Sequence, residues 1–446
     1  MSGYRVETLI FDNGERYPIL VGEDGMPHSH ITLWVTVKLR AVGMAFNTIE
    51  NKINHVKWFL EWPELEHRDL YSEFKDGHFL DEDDMTKIKS HLAKDIFYLK
   101  GVNRKKNKLR DKVVSIFDTP ELIDVEPSVG RNHHYNRMTS VTEYLVFIAK
   151  LAVSKTPSEE FNQAISKMEK EFKKMRPRGK GKNVLDEVNN KEIPEGLIEE
   201  FMAVAHHEHP KNPFKQESVR LRNHLMFELM EKKGIRRGEM LSLKVTEMVL
   251  HGDKKLIWVR RTHDDKYDTR KKQPVAKTRE RLLRIDDKTA HLLDRYIMEF
   301  RAKTPNADKH PYLFVTHRDC PTQGQQISIS TFDNTIIPAM RAVDERFEVI
   351  NPHYLRHYWN ETFSDKVDKN NELAAEGVKG YTHIDSSKEA KMRKHQMGHS
   401  SEKSGNTYNQ RHITQKANEL VLAEQKELQK LAEEAREKKN AQGGNE

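Results

Sequence analysis

The sequence has one cysteine, Cys320. A single thiol excludes an intramolecular disulfide bond and any zinc or iron–sulfur site made from several thiolates. Runs of about 18 or more apolar residues, the length needed to cross a bilayer, are absent. Residues 1–30 also lack the basic and then apolar order of a secretory signal. We therefore expect a soluble protein that works in the cytoplasm.

Charge of one sign is not strongly in excess either. Over 446 residues, 76 Lys and Arg are balanced by 69 Asp and Glu, which gives a net charge of +7 and a pI near 9.0. This mild excess is compatible with an acidic partner such as nucleic acid but does not demonstrate one. The length predicts about two to three domains, and a hydrophobic fraction of 36% is sufficient for buried cores.

The N-terminal residues predict a small β-hairpin followed by a helical region. Asn13-Gly14 separates two extended segments and favours a tight turn, so we expect a hairpin extension over residues 1–28. Apolar residues then recur with the spacing of one helical face, which predicts helices over Thr48–Trp62, Met85–Leu99 and Val141–Val153. We therefore expect a helical domain over residues 29–172.

Two basic segments interrupt this pattern, Arg104–Lys112 and Lys170–Lys182. Proline and glycine break the second segment, which predicts an interdomain linker over residues 173–192. Cations in such segments can contact the phosphates of nucleic acid, but they can equally form a solvated surface, and the sequence leaves both alternatives open. The candidate phosphate-binding residues are Arg104, Lys105, Lys106, Lys173, Lys174, Arg176, Arg178 and Lys180.

The second half of the chain predicts a mixed α/β domain. Helices are expected around Val219–Lys233 and Lys288–Arg301, and strands over Leu256–Arg260 and Arg279–Ile285. The last segment, Thr414–Lys439, is rich in Ala, Glu, Lys, Gln and Leu and has a weak apolar stripe. We expect this segment to be a helix that either projects into solvent or docks on a neighbouring subunit.

Four separate segments of this half carry cations, imidazoles and one tyrosine. Arg236 and Glu239 lie in the first segment, and Lys277 precedes a strand in the second. Each segment alone is a weak signal, because arginine and histidine are common on protein surfaces. Their joint order is the informative feature. The third segment is Pro352-His353-Tyr354-Leu355-Arg356-His357, and the fourth is Met397-Gly398-His399-Ser400-Ser401, with Tyr408 after it.

These residue types fit nucleophilic attack on a phosphodiester. The transition state of that reaction places additional negative charge on the non-bridging oxygens, so fixed cations stabilise it. Arginine binds phosphate oxygens through a planar fork, which makes Arg236 and Arg356 the predicted clamp. The i, i+3 spacing places His353 and Arg356 on one helix face. A tyrosine hydroxyl, with a pKa of about 10, needs nearby cations and a proton acceptor to act as the nucleophile, which is the role predicted for Tyr408.

The order of the four segments resembles the tyrosine recombinase family, the phage-integrase-like site-specific DNA recombinases, over Pro194–Gln415. The resemblance implies a mainly α fold with small β-sheets. A helical core-binding (SAM-like) domain and a mixed α/β catalytic domain, residues 193–415, would form a C-shaped DNA clamp. Residues 416–446 would be a C-terminal helix and tail, and the N-terminal hairpin would be either an arm-site binder or a structural edge.

The resemblance also implies a role for each residue. Tyr408 would form a 3′-phosphotyrosyl intermediate, Lys277 would protonate the 5′-hydroxyl leaving group, and His353 would accept the tyrosine proton. His399 would hydrogen-bond a phosphate oxygen. Behind these groups, Glu239 would hold Arg236 or a neighbouring histidine, and His357 would support the site. No metal or other cofactor is expected, because the phosphotyrosyl bond conserves the energy of the broken strand.

The implied function is integration or excision of a mobile element at specific sites in double-stranded DNA. A homo-tetramer in the synapse, excision or DNA-bending factors, and a cytoplasmic, nucleoid-associated location would accompany it. Two alternatives remain open. A type IB topoisomerase uses the same chemistry, although the separate helical domain and the Gly-His-Ser-Ser sequence favour a recombinase. A non-catalytic DNA-binding accessory protein could keep the fold, although it would not need the complete residue set.

Three other lysines of the same predicted hairpin loop could take the role of Lys277, namely Lys266, Lys271 and Lys272. Each of these lysines could instead be a solvated surface charge. We favour Lys277 because it precedes the strand where the family carries its lysine. In addition, Asp365–Glu389 makes the interval before the fourth segment longer than in most relatives of the family.

A histidine cluster, His206–His209, invites a metal site. Its spacing is not that of a helical His-x-x-x-His pair, and Pro210 follows it directly. The sequence therefore predicts a loop without a bound metal at this position.

Overall fold

A computed structural model of the chain describes residues 3–96, 98–99, 127–177, 194, 196–276, 278–399, 421–422 and 424–430. The chain divides into two compact units, Met1–Asn190 and Lys191–Glu446. Helices dominate both units, and small antiparallel sheets accompany them, so the predicted fold class is confirmed. The basic segment Arg104–Lys112 and most of the predicted linker, residues 178–192, lie outside the described residues.

Strands β1 (Arg5–Ile10) and β2 (Arg16–Val21) form the predicted hairpin of the first unit. Its loop is longer than a two-residue turn, because the Phe11 N–H donates to the Glu15 carbonyl over 2.9 Å and the Gly14 N–H donates to the Phe11 carbonyl over 2.8 Å. Gly14 has a φ of 88°, which suits glycine and places it at the bulge that closes such a loop.

A helical core follows the hairpin. One face of its second helix is fully buried by Ile49, Ile53, Val56 and Phe59, and the helices predicted over 48–62 and 141–153 are confirmed. The described helices of this unit are α1 (Ser29–Trp34, continued by a π-helical turn over Val35–Arg40), α2 (Phe46–Leu65), α3 (Leu70–Lys75), α4 (Glu82–Ala93), α5 (Arg131–Ala152) and α6 (Glu159–Met175).

One helix end differs from the prediction, and another helix enters the segment predicted as a linker. Helix α4 stops at Ala93 rather than Leu99, because Lys94 is extended with a ψ of 145° and forms an isolated β-bridge with Ser128. Helix α6 continues beyond residue 172 to Met175, where Arg176 turns to a ψ of 141° immediately before Pro177. A residue before proline disfavours the α-helical region, which explains the position of this end.

The second unit is the predicted mixed α/β region. Three antiparallel strands lie in the order β3 (Met248–Val249), β4 (Leu256–Val259) and β5 (Arg281–Arg284). The helices are α7 (Leu197–Ala205), α8 (Glu217–Lys233), α9 (Arg237–Leu241), α10 (Asp287–Arg295, continued by a π-helical turn over Tyr296–Arg301), α11 (Ile329–Thr331), α12 (Ile337–Arg341), α13 (Pro352–Ala375) and α14 (Ser386–Met397).

Helix α8 is the centre of this unit. Its residues from Leu221 to Met230 are buried, and Phe227 packs edge-on against Phe201 with ring centroids 5.3 Å apart. The helix is buried on nearly every side, and the polar side chains of Arg222, Asn223, His224 and Glu228 are buried together with the apolar ones. The position of the C-terminal end of α8 is therefore fixed by packing.

The predicted insertion, Asp365–Glu389, forms the second half of α13, a loop and the start of α14. Asn371 holds the loop in place, because its side chain accepts the Ile384 N–H over 2.8 Å and donates to the Ile384 carbonyl over 3.0 Å. Buried Arg393 of α14 donates to the Asn360 carbonyl of α13 over 2.8 Å. Hydrogen bonds therefore hold α13 and α14 against each other.

Only part of the predicted C-terminal helix belongs to the described residues. Residues 421–422 and 424–430 are helical and exposed, and the rest of Thr414–Lys439 lies outside the described residues. Among the residues that the structure describes, none of the helices has both the length and the apolarity needed to cross a membrane.

Candidate active site

All four predicted segments meet in the second unit, because Arg281 of the second segment donates to Glu239 of the first. The end of α8 supplies Gly234 and leads to Arg236, the first turns of α13 supply His353 and Arg356, and the end of α14 supplies His399. Asn351 starts α13 by accepting the backbone N–H of His353 over 2.9 Å with its side-chain oxygen. The predicted Lys277 and Tyr408 lie outside the described residues.

Arg356 joins these segments. Its side chain is 1% exposed and donates to the Gly234 carbonyl at the end of α8 and, over 3.0 Å, to the Met397 carbonyl at the end of α14. Its Nη2 also lies 3.2 Å from Nε2 of His399. Arg356 therefore donates hydrogen bonds to the protein through both terminal nitrogens, and the phosphate contact expected from the sequence stays a prediction.

Two glycines allow the ends of α8 and α14 to come close to their neighbours, so that Arg356 reaches the carbonyls there. Gly234 and Gly398 end their helices in the left-handed conformation, with φ of 60° and 64°. A Cβ at Gly234 would lie 2.8 Å from the Trp359 ring, and a Cβ at Gly398 would lie 2.9 Å from the Arg279 carbonyl. A larger residue would separate both helix ends from their neighbours, so glycine is required for conformation and for close approach.

Glu239 is the negative centre of the site and is fully buried. It accepts hydrogen bonds from Nη2 of Arg281 over 2.7 Å, from the Thr278 hydroxyl and from the backbone N–H of Arg236 over 3.0 Å. Burial acts to raise the pKa of Glu239, but the charge and hydrogen bond of Arg281 outweigh burial and lower it. Glu239 is therefore an ionised carboxylate held mainly by Arg281.

The sequence predicted that Glu239 holds Arg236 or a histidine, and did not identify Arg281. The contact with Arg236 is present but looser, with Nη1 of Arg236 at 3.6 Å from the carboxylate. The sequence Arg281-Leu282-Leu283-Arg284 gave no signal for Arg281, because polar and apolar residues do not alternate in it. Inward-facing residues alternate along a strand, and Arg281 shares the buried face of β5 with Leu283.

Arg236 is the accessible cation of the site. Its side chain is 29% exposed. Its Nη1 is buried, and no hydrogen-bond acceptor among the described residues reaches that atom. A buried guanidinium nitrogen without an acceptor is costly, so an anion that approaches this edge would gain a charge-assisted hydrogen bond.

The two histidines of the site are held neutral by their surroundings. Burial, followed by the charges of Arg356 and Arg236, lowers the pKa of His399 to about 4. Desolvation and the same two arginines also lower the pKa of His353, although its side chain reaches the surface. The His353 ring contacts His357 edge-on, with centroids 4.4 Å apart. Neutral imidazoles can accept a proton at pH 7.

The alternatives to Lys277 are in the loop between β4 and β5. Lys266, Lys271 and Lys272 are exposed. By contrast, the chain neighbours of Lys277, Ala276 and Thr278, are both buried, and Thr278 donates to Glu239.

Of the predicted phosphate-binding residues, Lys173, Lys174 and Arg176 belong to the part of the chain that the structure describes. Lys173 and Lys174 are exposed in the last turn of α6 and form ion pairs with Glu169 and Glu171 over 2.5 and 2.6 Å. Arg176 stacks over the Tyr135 ring, 5.6 Å from its centroid. Each of the three is thus bound to its own unit. Arg104, Lys105, Lys106, Arg178 and Lys180 lie outside the described residues.

Part of the second unit matches the model of a known family. Residues 191–367 match the phage integrase family, and this stretch contains Arg236, Glu239, His353, Arg356 and His357. No protein of curated function matches the chain in sequence.

Solved structures of site-specific recombinases are similar to the chain. XerH bound to its difH substrate in a pre-cleavage complex is 15% identical, covers 85% of this chain and 91% of its own, and has a TM-score of 0.39. The Tn1549 transposon integrase in complex with transposon right-end DNA is 12% identical, covers 85% and 93%, and has a TM-score of 0.44. XerA recombinase is 14% identical, with coverage of 85% and 91% and a TM-score of 0.29. These similarities are too distant to transfer the role of any residue.

Proposed function

With a phage integrase family domain over residues 191–367 as the premise, we propose that the chain is a site-specific DNA recombinase that cleaves and rejoins strands through a 3′-phosphotyrosyl intermediate. The contacts of Arg356 are the observation that carries this proposal, because its buried guanidinium, from the third predicted segment, donates to Gly234 of the first segment and contacts Met397 and His399 of the fourth. Such convergence is expected of a site and not of separate surface charges.

Arg236 is the residue that binds the scissile phosphate first. Its exposed edge and the unsatisfied Nη1 offer hydrogen bonds to a non-bridging oxygen. Glu239 fixes the backbone of Arg236 while Arg281 neutralises most of the carboxylate charge. The guanidinium of Arg236 therefore keeps its net attraction for a phosphate, since the nearby carboxylate is already paired.

Arg356 and His399 act together. Arginine can only donate hydrogen bonds, so Nε2 of neutral His399 accepts from Nη2 of Arg356, and the imidazole proton is on Nδ1. This tautomer makes His399 a hydrogen-bond donor to a phosphate oxygen through Nδ1. The buried charge of Arg356 stabilises the negative charge that develops on the phosphate, without direct bidentate binding.

The covalent step needs one proton acceptor and one proton donor. His353, neutral and on the same face of α13 as Arg356, accepts the proton of the Tyr408 hydroxyl. The phenolate oxygen forms the bond to phosphorus, and the bond from phosphorus to the 5′-oxygen breaks. Lys277 gives its proton to that oxygen, which leaves as a 5′-hydroxyl. Religation reverses each transfer, so the scheme requires no cofactor.

The partners follow from this scheme. Double-stranded DNA with specific sites is the substrate, and a mobile element that integrates or excises is the proposed context. Exchange between two duplexes needs four cleavages, hence a homo-tetramer in the synapse, and excision or DNA-bending factors are further candidates. The protein would act in the cytoplasm on the nucleoid.

The test begins with the DNA that the purified chain traps covalently, because sequencing the trapped ends identifies the target. A nicked suicide substrate with this target is then incubated with wild type, Tyr408→Phe and Tyr381→Phe. Tyr381 is an exposed tyrosine of the loop before α14 and is the matched control. Wild type and Tyr381→Phe should form a denaturant-resistant protein–DNA adduct, whereas Tyr408→Phe should bind the DNA and form none.

An adduct that persists in Tyr408→Phe would contradict the assignment of the nucleophile. Relaxation of supercoiled DNA of any sequence, without joining of two sites, would indicate a topoisomerase instead. Binding without an adduct in wild type would indicate a non-catalytic DNA-binding protein.

A further inference from the structure

Three histidines come together where the end of α7 meets the middle of α8, away from the residues of the proposed mechanism. His206 and His207 directly follow α7, and His224 lies in the middle of α8. Their ring centroids are 4.5 Å apart for His206 and His207, 4.6 Å for His206 and His224, and 5.2 Å for His207 and His224. One nitrogen from each ring lies within 4.8 Å of the other two. We name these residues the histidine triplet.

The hydrogen bonding of the histidine triplet is incomplete. His207 and His224 are only 9% and 6% exposed, and Nδ1 of each is buried without a hydrogen-bond partner among the described residues. Leaving a buried polar atom without a hydrogen bond is costly, so two such atoms close together favour the presence of a ligand. Nδ1 of His206 accepts the Glu208 N–H over 3.4 Å, so Nε2 is the nitrogen of that ring that can act as a ligand.

Carboxylates face the other nitrogen of both buried rings. Nε2 of His224 is 3.5 Å from Oε2 of Glu228, and Nε2 of His207 is 3.8 Å from Oε1 of Glu208. Thr289 and Lys232 also bind Glu228, so this carboxylate is fixed. Histidines that ligate a metal commonly direct their second nitrogen to a carboxylate, which sets the tautomer and the ring orientation.

We propose that the histidine triplet binds one Zn²⁺ ion, with Nδ1 of His207, Nδ1 of His224 and Nε2 of His206 as ligands. Zinc–nitrogen bonds are about 2.0–2.1 Å long, so tetrahedral ligation requires nitrogens roughly 3.4 Å apart, and small rotations of the three rings close the present spacing. Water occupies the fourth position. Imidazole ligands without thiolates suit Zn²⁺, Ni²⁺ and Cu²⁺, and the first is the proposed occupant.

The site has a structural role. A bound ion would link the end of α7 to α8. Helix α8 ends at Gly234, whose carbonyl accepts a hydrogen bond from Arg356. The sequence disfavoured a metal here because His206–His209 alone has poor spacing. His224 supplies the third ligand from another helix, and His209 is not part of the triplet.

Untagged full-length protein, treated with a chelator and then freed of it, is titrated with Zn²⁺ by calorimetry. Wild type should bind one ion at the triplet, and Zn²⁺ should raise its melting temperature. Co²⁺ should give the visible absorption of a tetrahedral nitrogen site. His224→Gln and the less buried His206→Gln should each lose the ion and the rise in melting temperature, while His209→Gln, the control from the same loop, should keep both.

Two results would overturn the proposal. The first is a wild type that binds no Zn²⁺ and whose melting temperature Zn²⁺ does not change. The second is His206→Gln that binds Zn²⁺ with wild-type stoichiometry and affinity. Because His206 lies at the edge of the triplet, its substitution tests the site even if His224→Gln fails to fold.

Discussion

The candidate active site and the end of α6 use positive charge in opposite ways. In the site, Arg356 and Arg281 are 1% and 4% exposed and donate to backbone carbonyls and to one carboxylate. At the end of α6, the Lys173 and Lys174 side chains are 54% and 62% exposed and pair with glutamates on the same helix. The first group lies inside the fold, and the second lies in solvent.

This difference decides which charges the fold depends on. A buried ion pair loses the hydration of both partners, so removing one partner leaves an uncompensated charge. An exposed ion pair exchanges with water and contributes little. Substitutions in the site should therefore change stability and activity together where the charge is buried, and activity alone where it is exposed. The predictions below follow this order, from the largest change in the free energy of unfolding to the smallest.

Arg281→Met should have the largest effect, because it leaves the Glu239 carboxylate buried without its main partner. We expect a loss of about 3–5 kcal/mol in the free energy of unfolding, measured by chemical denaturation of the full chain. Arg284→Met, on the exposed face of the same strand, is the matched control and should change little. Adding Glu239→Gln to Arg281→Met should recover part of the loss. Equal stability of the two methionine variants would show that the buried pair does not hold the site.

Arg356→Lys should have the next largest effect. A lysine ammonium cannot reach both the Gly234 and Met397 carbonyls with the geometry of a guanidinium, so buried acceptors lose their donors. We expect a loss of about 1–3 kcal/mol in the free energy of unfolding, together with loss of DNA cleavage. Unchanged stability in denaturation experiments would mean that the joint between α8 and α14 does not depend on Arg356.

The sequence alone predicted the elements of this site better than their contacts. The strand β5 was predicted, but Arg281-Leu282-Leu283-Arg284 does not alternate polar and apolar residues, so the sequence did not place Arg281 on the buried side. Its partner Glu239 lies 42 residues earlier, and no local pattern connects them. Arg356 was predicted to bind phosphate, but its hydrogen bonds to carbonyls at two helix ends were not, because their direction depends on the left-handed Gly234 and Gly398.

The histidine triplet shows the same limit. His224 lies within a helix that the apolar spacing predicts correctly, and His206 and His207 lie in a segment that reads as a loop. Only the packing of α7 on α8 brings the three rings together. Short-range periodicity fixes the helices, whereas contacts between residues distant in sequence depend on tertiary packing that the pattern does not contain.

His399 predicts a pH dependence of stability. Its pKa in the folded state is about 4, below the ordinary value of about 6.5. Between these values the unfolded chain binds more protons, so the free energy of unfolding falls as the pH is lowered through this window. The advantage of wild type over His399→Gln should therefore shrink from pH 7 to pH 4. His395→Gln, an exposed histidine on α14, should follow the wild-type profile. A constant difference between wild type and His399→Gln would contradict the burial of a neutral imidazole.

Arg236→Lys should separate activity from stability. Since the Arg236 side chain is partly exposed and its Nη1 has no acceptor among the described residues, its replacement breaks little inside the protein. We expect a stability change within about 0.5 kcal/mol. Single-turnover cleavage should nevertheless slow by about 100-fold or more, because a point charge does not reproduce the guanidinium fork. Near-normal cleavage by Arg236→Lys would remove this residue from the phosphate site.

The double variant Lys173→Ala, Lys174→Ala should have the smallest effect on stability, below about 0.5 kcal/mol, because exposed ion pairs contribute little. Its use is to decide whether these cations contact DNA. If both neutralise phosphates, the slope of log affinity against log salt concentration should fall by about 2, since each phosphate contact contributes roughly 0.9. Lys167→Ala, an exposed lysine on the same helix, is the control and should leave the slope unchanged. Identical slopes for wild type and the double variant would identify Lys173 and Lys174 as solvated surface charges, paired only with Glu169 and Glu171. That result would confine the phosphate contacts of the protein to other cations, without affecting the assignment of the buried arginines.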